Sequence, residues 1–319
     1  MELIMFDPGV GSSNLGDQVI GDSVMRELIS LFPEANVRRL SLFQPMGESQ
    51  RRTLRAAKLA LVAGSNMLSA TFKFPTYRNR WKIALLDLAM LPPVVTVGAG
   101  WYRNDFESNA LGRAVLRRLA SKDVPMSVRD AVTKENLARI GVSAVNTSCA
   151  TLWSVDPSVY EAGQPCRDVV TTITDYGMSA TRDAAMLRAL VGKYRKVYFW
   201  PQGEKDLQYL ATLGVAGLDI LPRSLEAYDQ LLMSGGVEYI GTRLHGAIRA
   251  LQKGVRAKIV SVDYRADNIC EEVGIPYFRS NQTPDQMPAF MESGWDGAIH
   301  LPCADIETWR QKLRGAVGA

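Results

Sequence analysis

The chain has 319 residues, of which 47% are hydrophobic and 22% charged, a composition typical of a globular protein with about two α/β domains. The formal net charge of +4 is too small to indicate a nucleic-acid-binding protein, although it suits anionic small molecules. Four cysteines without metal-ligand spacing and only two histidines provide few candidate ligands for a zinc site.

The N-terminal residues MELIMFDPGVGSSNLGD contain no basic segment followed by an apolar core, so the sequence predicts no secretory signal peptide. The most apolar stretch, residues 83–100, includes Asp87, Pro92 and Pro93. It therefore predicts a helix followed by a buried strand rather than a membrane span. We expect the protein to remain in the cytoplasm.

Short apolar runs alternate with amphipathic helical patterns along almost the whole chain, which is typical of parallel sheets covered by helices. The predicted strands are Glu2–Phe6, Val37–Ser41, Leu59–Ala63, Val94–Gly98, Pro125–Val128, Val169–Ile173, Lys196–Trp200, Leu218–Leu221, Glu238–Ile240 and Ala257–Val262. The predicted helices are Asp17–Leu31, Arg78–Met90, Glu107–Ala120, Ala131–Ile140, Asp183–Leu190, Leu225–Met233, Ala247–Lys253 and Ile306–Val317. The expected fold class is therefore α/β.

The pattern weakens between residues 147 and 167, where Pro157, Gly163 and Pro165 indicate a connection between domains. We expect two Rossmann-like domains facing a cleft, one over residues 1–160 and one over residues 167–302. The final helix, within residues 303–319, follows the second domain. It packs either on that domain or, by crossing back, on the first domain.

The first predicted strand ends in a loop rich in glycine and serine, residues 7–17. Such a loop lets a ligand approach the backbone and places N–H groups at a helix start, where anions bind. Its glycines, at positions 9, 11 and 16, do not form the dinucleotide fingerprint G-x-G-x-x-G. The spacing alone fits equally well a plain strand-to-helix turn in which Asp17 caps the helix.

Two more loops of small residues, 64–66 and 98–101, also follow predicted parallel strands. Ligands of open α/β sheets bind outside the carboxyl ends of the strands, so these loops are candidate ligand contacts. Arg129 ends the next strand, and a guanidinium holds a carboxylate or phosphate through two parallel hydrogen bonds. The alternative is structural: Asp130 caps the next helix and Arg129 forms an ion pair.

Residues 242–246, Thr-Arg-Leu-His-Gly, follow a predicted strand and open a helix. The charge of Arg243 and the N–H groups of the helix start suit a ligand with phosphate and carboxylate groups. His245 donates a proton near neutral pH. The alternative is a buried histidine bonded to the backbone, which is also the favoured interpretation of His300.

Together these segments resemble the polysaccharide pyruvyltransferase family over about residues 14–264. The matching segments are Asn14-Leu15-Gly16-Asp17, Gly98-Ala99-Gly100, Ser127-Val128-Arg129-Asp130, the helix from Lys134 to Gly141, and the Thr-Arg-Leu-His-Gly motif with the helix and strand that follow it to Tyr264. Two departures stand out. Gly64-Ser65 replaces the paired glycines often found there, and Lys258 replaces a proline or small apolar residue, so we expect its strand to have a more exposed edge.

The resemblance implies a GT-B-like arrangement, phosphoenolpyruvate (PEP) as co-substrate, and an acceptor sugar whose two hydroxyls receive a pyruvate ketal. It implies that Arg129 and Arg243 hold the carboxylate and phosphate of PEP and that His245 acts on it. Because addition of a hydroxyl at C2 requires protonation of the C3 methylene, we expect protonated His245 to be the general acid. Asp17 or Asp7 is the candidate base, because each lies near the end of the first strand. The expected substrate-binding residues are Asn14, Gly16, Gly98, Gly100, Arg129, Arg243, Leu244 and Gly246. We expect no cofactor and no metal.

Family members commonly modify lipid-linked repeat units, which implies a peripheral contact at the inner face of the membrane. The basic segments 51–55 and 117–118 are candidates for it, although solvated helix faces explain them better. One alternative function is a GT-B glycosyltransferase with a nucleotide-sugar donor, and another is a non-catalytic sugar- or phosphate-binding protein. A metal-dependent hydrolase is disfavoured, because histidines and clustered carboxylates are scarce. The sequence does not indicate an oligomeric state.

Overall fold

The computed structural model describes residues 2–73, 76–77, 81–103, 105–156, 166–294 and 298–318. The chain divides into two compact units. Unit 1 comprises Met1–Ser12, Asp17–Trp153 and Leu301–Ala319, and unit 2 comprises Ser13–Gly16 and Ser154–His300. The segment Ser13–Gly16 therefore packs with residues that are far away in the sequence. Within the predicted interdomain connection, Pro157, Gly163 and Pro165 lie outside the described residues.

Unit 1 is built on parallel strands. Its strands are β1 (Glu2–Asp7), β2 (Asn36–Ser41), β3 (Ala60–Ala63), β4 (Phe72–Lys73), β5 (Thr76–Tyr77), β6 (Val94–Val97), β7 (Met126–Val128) and β8 (Ala144–Asn146). A parallel sheet has the order β2-β1-β3-β6. The parallel pair β7-β8 is bridged to the segment just after β6 by Ala99 and Val128. Strands β4 and β5 form a separate antiparallel pair.

The helices of this half are α1 (Leu15–Leu31), α2 (Glu48–Ala56), α3 (Leu85–Met90), α4 (Ala110–Leu119) and α5 (Ala131–Ala138), with a 3₁₀ turn at Ala150–Leu152. Helix α1 begins in the segment assigned to unit 2 and continues into unit 1. Successive residues of β1 point to opposite faces of the sheet. Ile4 and Phe6 join one hydrophobic cluster, whereas Leu3 and Met5 join another that includes α1.

Unit 2 contains one six-stranded parallel sheet with the order β11-β10-β9-β12-β13-β14. Its strands are β9 (Asp168–Thr171), β10 (Lys196–Phe199), β11 (Asp219–Ile220), β12 (Val237–Gly241), β13 (Ala257–Val260) and β14 (Tyr277–Phe278). Its helices are α6 (Ala180–Lys193), α7 (Asp206–Thr212), α8 (Leu225–Met233), α9 (Leu244–Gln252), α10 (Tyr264–Val273) and α11 (Met287–Glu292), with a 3₁₀ turn at Pro284–Gln286. The reversal of strand order at β9 is the topological switch point of a doubly wound sheet.

The last helix, α12 (Cys303–Gly318), belongs to unit 1. Trp309 and Leu313 lie in the same buried cluster as α1, and the indole N–H of Trp309 donates to the carbonyl of Pro125 at 3.1 Å. Helices α1 and α12 have 17 and 16 residues. In the described ranges, no helix combines the length and apolar character required to cross a membrane.

The predicted α/β class is confirmed, because both units consist of parallel sheets with helices. All ten predicted strands are present, whereas the short strands β4, β5, β8 and β14 were not predicted. The helix predicted over Arg78–Met90 is wrong in extent, since α3 begins at Leu85 and residues 78–80 lie outside the described ranges. Helix α9 begins at Leu244, three residues before its predicted start.

The structure also contradicts one of the two interpretations of Asp17 and the expectation about Lys258. Asp17 does not cap α1, because the helix already begins at Leu15 and the side chain of Asn14 accepts from the Gly16 N–H at 3.1 Å. Lys258 does not mark an exposed strand edge, because β13 is an inner strand and Lys258 is only 7% exposed.

Lys258 instead caps the C-terminal end of α11. Its Nζ donates to the carbonyls of Phe290 and Met291 at 3.1 and 3.0 Å, and to that of Ser293 at 2.5 Å. A helix leaves its last carbonyls without partners and carries partial negative charge there, so a cation is favourable. Burial lowers the pKa of this lysine.

Candidate functional site

Four neighbouring parallel strands of unit 2 end in polar residues at one edge of the sheet. We call this the unit 2 edge. It consists of residues 172–176 after β9, 200–203 after β10, 242–246 after β12 and 261–265 after β13. In open parallel sheets this edge is where ligands bind.

Arg243 lies at the N-cap of α9, and its side chain is buried. One guanidinium nitrogen, Nη2, donates to Asp175 Oδ1 at 3.0 Å and also pairs with Asp206, while Nε donates to the carbonyl of Ile173 at 3.3 Å. Burial by itself lowers the pKa of Arg243, but the Asp206 carboxylate raises it, and the net direction is upward. Arg243 is thus a charged group that protein carboxylates already neutralise.

The turn before α9 is held by a chain of hydroxyl groups. The hydroxyl of Tyr239 donates to the carbonyl of Arg243 at 2.9 Å, and it lies 2.6 Å from Thr172 Oγ1. Thr172 Oγ1 in turn accepts from the backbone N–H of Arg243 at 3.1 Å. Because both peptide groups of Arg243 are fixed in this way, the start of α9 has a defined position relative to β9.

His245 and Leu244 occupy the first turn of α9, and both are half-buried. The side chain of Arg243, the N-cap residue, makes no capping hydrogen bond to this helix. Its first N–H groups carry partial positive charge, which suits an anion. Gly246 allows close packing, because a Cβ there would lie 3.1 Å from Tyr239 Oη and 3.2 Å from Gln202 Oε1.

The segment Ser13–Gly16 lies against the same turn. The backbone N–H of Leu15 donates to the carbonyl of Gln202 at 3.1 Å, and Asn14 Oδ1 accepts from Gln202 Nε2 at 2.9 Å. A Cβ on Gly16 would lie 2.5 Å from Gln202 Nε2 and 3.2 Å from His245 Cβ, so only glycine fits without displacement. The structure therefore brings together six sequence-predicted residues: Asn14, Gly16, Arg243, Leu244, His245 and Gly246.

Sequence reasoning missed Gln202, which lies at the centre of this group. Its Oε1 is buried and has no hydrogen-bond partner among the residues that the structure describes. The neighbours of Gln202 determine the orientation of its amide. Asn14 Oδ1 accepts a hydrogen bond from the Gly16 N–H, which identifies that atom as the oxygen. The Gln202 atom that faces this oxygen must be a donor, so it is the NH₂ group. The sequence signal was the segment Pro201-Gln202-Gly203 directly after the predicted strand Lys196–Trp200.

The other predicted binding residues, Arg129, Gly98 and Gly100, lie in unit 1 at the carboxyl ends of β6 and β7. Arg129 is buried, bonds to Asn66 Oδ1, and lies 3.4 Å from Asp130 Oδ2. Asp130 also caps α5 by accepting from the Thr133 N–H at 2.7 Å. The structural alternative predicted a helix cap by Asp130 and an ion pair of Arg129, and both are present.

The two predicted glycines in this part of unit 1 are sterically required. A Cβ on Gly100 would lie 2.4 Å from Arg129 Nε. Gly98 has a φ of +65°, and a Cβ there would lie 2.7 Å from the backbone nitrogen of Ala150. These glycines let the loops after β6, β7 and β8 pack closely.

Two serines near these loops are strained. Ser65 and Ser148 have φ angles of 63° and 60°, and they are the non-glycine residues with positive φ in the described ranges. Both are buried, and their Oγ atoms have no hydrogen-bond partner there. Non-glycine residues pay about 1–2 kcal/mol for this conformation, so the loops of unit 1 hold backbone strain.

The two candidate bases differ in their surroundings. The carboxylate of Asp7 accepts from the Gly9 N–H at 2.7 Å and pairs with Arg39, and a Cβ on Gly21 would lie 2.2 Å from it. Asp7 is therefore occupied as a buried structural group. Asp17 is buried in the first turn of α1 and accepts from Ser12 Oγ at 2.7 Å. The assignment of Asp17 as the base stays a prediction.

Across the described ranges, no group of three or more histidine, cysteine, aspartate or glutamate side chains is arranged to hold a metal ion. His300 is exposed, and its backbone N–H donates to the carbonyl of Val273 at 2.9 Å.

Solved structures of sugar-nucleotide enzymes share this fold. The UDP-GlcNAc 2-epimerase of Methanocaldococcus jannaschii, in complex with UDP-GlcNAc and UDP, has a TM-score of 0.57 at 10% sequence identity, covering 100% of this chain and 99% of that one. A putative UDP-N-acetylglucosamine 2-epimerase from Listeria monocytogenes has a TM-score of 0.52 at 9% identity, covering 99% of this chain and 90% of that one. At such low identity the likeness concerns the fold alone, and it confirms the expected GT-B-like class of two Rossmann-like domains.

The sequence comparisons address the family. A search of curated protein sequences found no match. The profile of the family described as polysaccharide pyruvyl transferase matches residues 14–264, which include the Ser13–Gly16 segment from Asn14 onward and the Thr-Arg-Leu-His-Gly motif. This match covers well over half of the chain, and the chain belongs to the polysaccharide pyruvyl transferase family.

Proposed function

We propose that this protein transfers the enolpyruvyl group of PEP to two hydroxyls of a sugar in a cell-surface polysaccharide repeat unit and releases phosphate. The observation that carries the proposal is the position of His245. It lies in the first turn of α9, next to Gly16, within the motif that the family profile covers.

The proposed reaction begins with protonation. The protonated imidazole of His245 donates its proton to the C3 methylene of PEP, which becomes a methyl group and leaves C2 electron-deficient. A sugar hydroxyl attacks C2 and gives up its proton to a base, for which Asp17 is the candidate. The C2–O bond to phosphate then breaks, the second hydroxyl attacks C2, and its proton leaves. The net products are the cyclic ketal and phosphate.

The donor side of the proposed site uses the start of α9. The partial positive charge of its first N–H groups favours a phosphate or carboxylate oxygen of PEP, and Leu244 and Gly246 frame that turn. Arg243 is buried between Asp175 and Asp206, so its proposed role is to position this turn. Arg129, Gly98 and Gly100 remain proposed substrate-binding residues of unit 1.

The acceptor side of the proposed site uses Gln202. An amide oxygen without a partner requires a hydrogen-bond donor. Ionised PEP has only acceptor oxygens, whereas a sugar hydroxyl donates. We therefore assign Gln202 Oε1 to a hydroxyl of the acceptor. PEP is a co-substrate, and we propose no cofactor. The proposed acceptor is lipid-linked, and its modification takes place at the cytoplasmic face of the membrane through a peripheral contact.

The test measures PEP binding by calorimetry for the wild type, His245→Gln and His300→Gln. We expect the wild type and both variants to bind PEP. Phosphate release with a panel of methyl hexopyranosides should fall by about 100-fold or more in His245→Gln, because general acid catalysis contributes about 10²–10⁴-fold. His300→Gln should keep its activity, since it removes the only other histidine, an exposed one.

The opposite result has a clear meaning. A wild type that does not bind PEP but binds UDP would replace the proposed function with that of a glycosyltransferase using a nucleotide-sugar donor. Full activity in His245→Gln would remove the general acid role, even if PEP is the donor.

A further inference from the structure

The ion-paired arginines at the unit 2 edge provide no net positive charge. Arg243 pairs with Asp175 and Asp206, and Arg265 pairs with Asp263. Two guanidinium charges against three carboxylates leave this group with one net negative charge. A polyanion such as PEP would be repelled by it, because like charges at short range disfavour each other. The protonated imidazole of His245 offsets only that one negative charge, so a further cation would favour binding of PEP by unit 2.

Arg223 is a cation of the required kind. It follows β11 directly before Ser224, the N-cap of α8, and it is exposed. Its Nη2 donates to the carbonyl of Ser13, and within the described part of the chain it has no carboxylate partner. One hydrogen bond to a neutral carbonyl orients the guanidinium without neutralising its charge. The remaining N–H groups are free to face an anion.

The contact with Ser13 places Arg223 near the proposed catalytic histidine. Ser13 and Gly16 are three residues apart, so their Cα atoms are separated by at most about 11 Å. Asn14, between them, bonds to Gln202, and Gly16 closely approaches His245. The same four-residue segment thus contacts Arg223 at one end and His245 at the other.

We propose that Arg223 binds an anionic group of PEP, the role that the family resemblance implies for Arg243. The inference rests on the proposed function. A guanidinium holds a phosphate or a carboxylate through two parallel N–H···O bonds, and both groups occur in PEP. Arg223 supplies the binding charge, whereas Arg243 stabilises the turn that carries His245.

The test compares the dissociation constant of PEP in the wild type, Arg223→Gln, Arg223→Lys and Arg188→Gln by calorimetry at low and moderate salt. Arg188→Gln is the matched control, because it removes an exposed arginine of α6 that has no ion pair among the described residues. We expect Arg223→Gln to weaken binding by about tenfold or more, in line with a charge-assisted hydrogen bond. The dissociation constant of PEP should also depend less on salt concentration in Arg223→Gln than in the wild type. Arg188→Gln should bind like the wild type.

Titration of inorganic phosphate and of pyruvate identifies the group that Arg223 holds. Weaker phosphate binding by Arg223→Gln indicates the phosphate group, and weaker pyruvate binding indicates the carboxylate. Arg223→Lys keeps the charge and should lose less affinity than Arg223→Gln. If Arg223→Gln lowers the thermal midpoint, the inference stands only if Arg223→Lys keeps the wild-type midpoint and still binds PEP more weakly than the wild type.

The possible failures are distinguishable. If the wild type binds PEP and Arg223→Gln binds it equally well, the inference about Arg223 is overturned and the proposed function stands. If the wild type does not bind PEP, the proposed function falls, and this inference falls with it. A loss in Arg188→Gln equal to that in Arg223→Gln would indicate a general effect of net charge and would also overturn the inference.

Discussion

A Cβ on Gly16 would lie 3.2 Å from the Cβ of His245, although the two residues are 229 positions apart in the sequence. This contact links the first helix of the chain to the first turn of α9. The distance leaves no space for a larger side chain at position 16, so the glycine directly limits where the histidine lies.

Gly16→Ala should therefore disturb the candidate site. The added methyl group would lie 2.5 Å from Gln202 Nε2, so the amide must move and its bond to Asn14 must break. We expect a loss of about 1–3 kcal/mol in the free energy of unfolding, typical of overpacking, measured by urea denaturation. Gly192→Ala is the matched control, because its Cβ would meet nothing within 4 Å in α6. Gly192→Ala should be at least as stable as the wild type. Equal free energies of unfolding for Gly16→Ala and Gly192→Ala would contradict the close packing around Gly16.

Arg243→Met should destabilise the fold. The substitution leaves Asp206 buried and both aspartates without their cation, and breaking a buried pair from one side costs about 3–5 kcal/mol. Arg195→Met, which breaks an ion pair whose arginine side chain is 64% exposed, should change the free energy of unfolding far less, because solvent screens exposed ion pairs. Denaturant unfolding of both variants tests the contrast. Normal stability of Arg243→Met, together with a loss of PEP binding, would restore Arg243 as a direct ligand-binding residue.

Alkaline pH should reduce stability through the buried tyrosines. Burial raises the pKa of Tyr194, Tyr209, Tyr228 and Tyr239, and burial together with a hydrogen bond to Glu271 raises the pKa of Tyr277 to about 12. A raised folded-state pKa means that the neutral form is favoured in the folded protein. The resulting stability is fully present below pH 10 and decreases as the pH rises through the folded-state pKa.

For Tyr277 this loss occurs between about pH 10 and 12. Absorbance at the tyrosinate band should show that these tyrosines ionise well above pH 10 in the folded protein, and Tyr277→Phe should remove the step near pH 12. Ionisation of all tyrosines near pH 10 in a protein that is still folded would contradict the assigned burial.

Ser65→Gly should stabilise the fold, because glycine adopts the φ of 63° without the steric cost that serine carries. The gain should be about 1 kcal/mol in the free energy of unfolding. Ser49→Gly in the exposed face of α2 is the opposite control and should lose about 0.5–1 kcal/mol. If Ser65→Gly is also destabilising, the positive φ is not a source of strain.

The elements and the motif were readable from the amino-acid order alone. Apolar runs of four to six residues predicted the strands, because burial on both faces requires continuous hydrophobic residues and that requirement is local. The position of Arg243, Leu244 and His245 after β12 followed from the same pattern. Helix starts were less accurate, since α9 begins three residues before its amphipathic pattern does.

Only the tertiary structure decided which of these residues act together. The partners of Arg243 are Asp175 and Asp206, 68 and 37 positions away, and no local pattern identifies them. The contact of Asn14 with Gln202 spans 188 positions, and the segment Ser13–Gly16 that contains Asn14 belongs to unit 2. Ion pairing and close packing depend on distances in space, which the periodicity of a single segment does not contain. For that reason the sequence predicted the histidine and its motif, whereas the neutralised charge of Arg243 and the uncompensated charge of Arg223 became visible only in the folded chain.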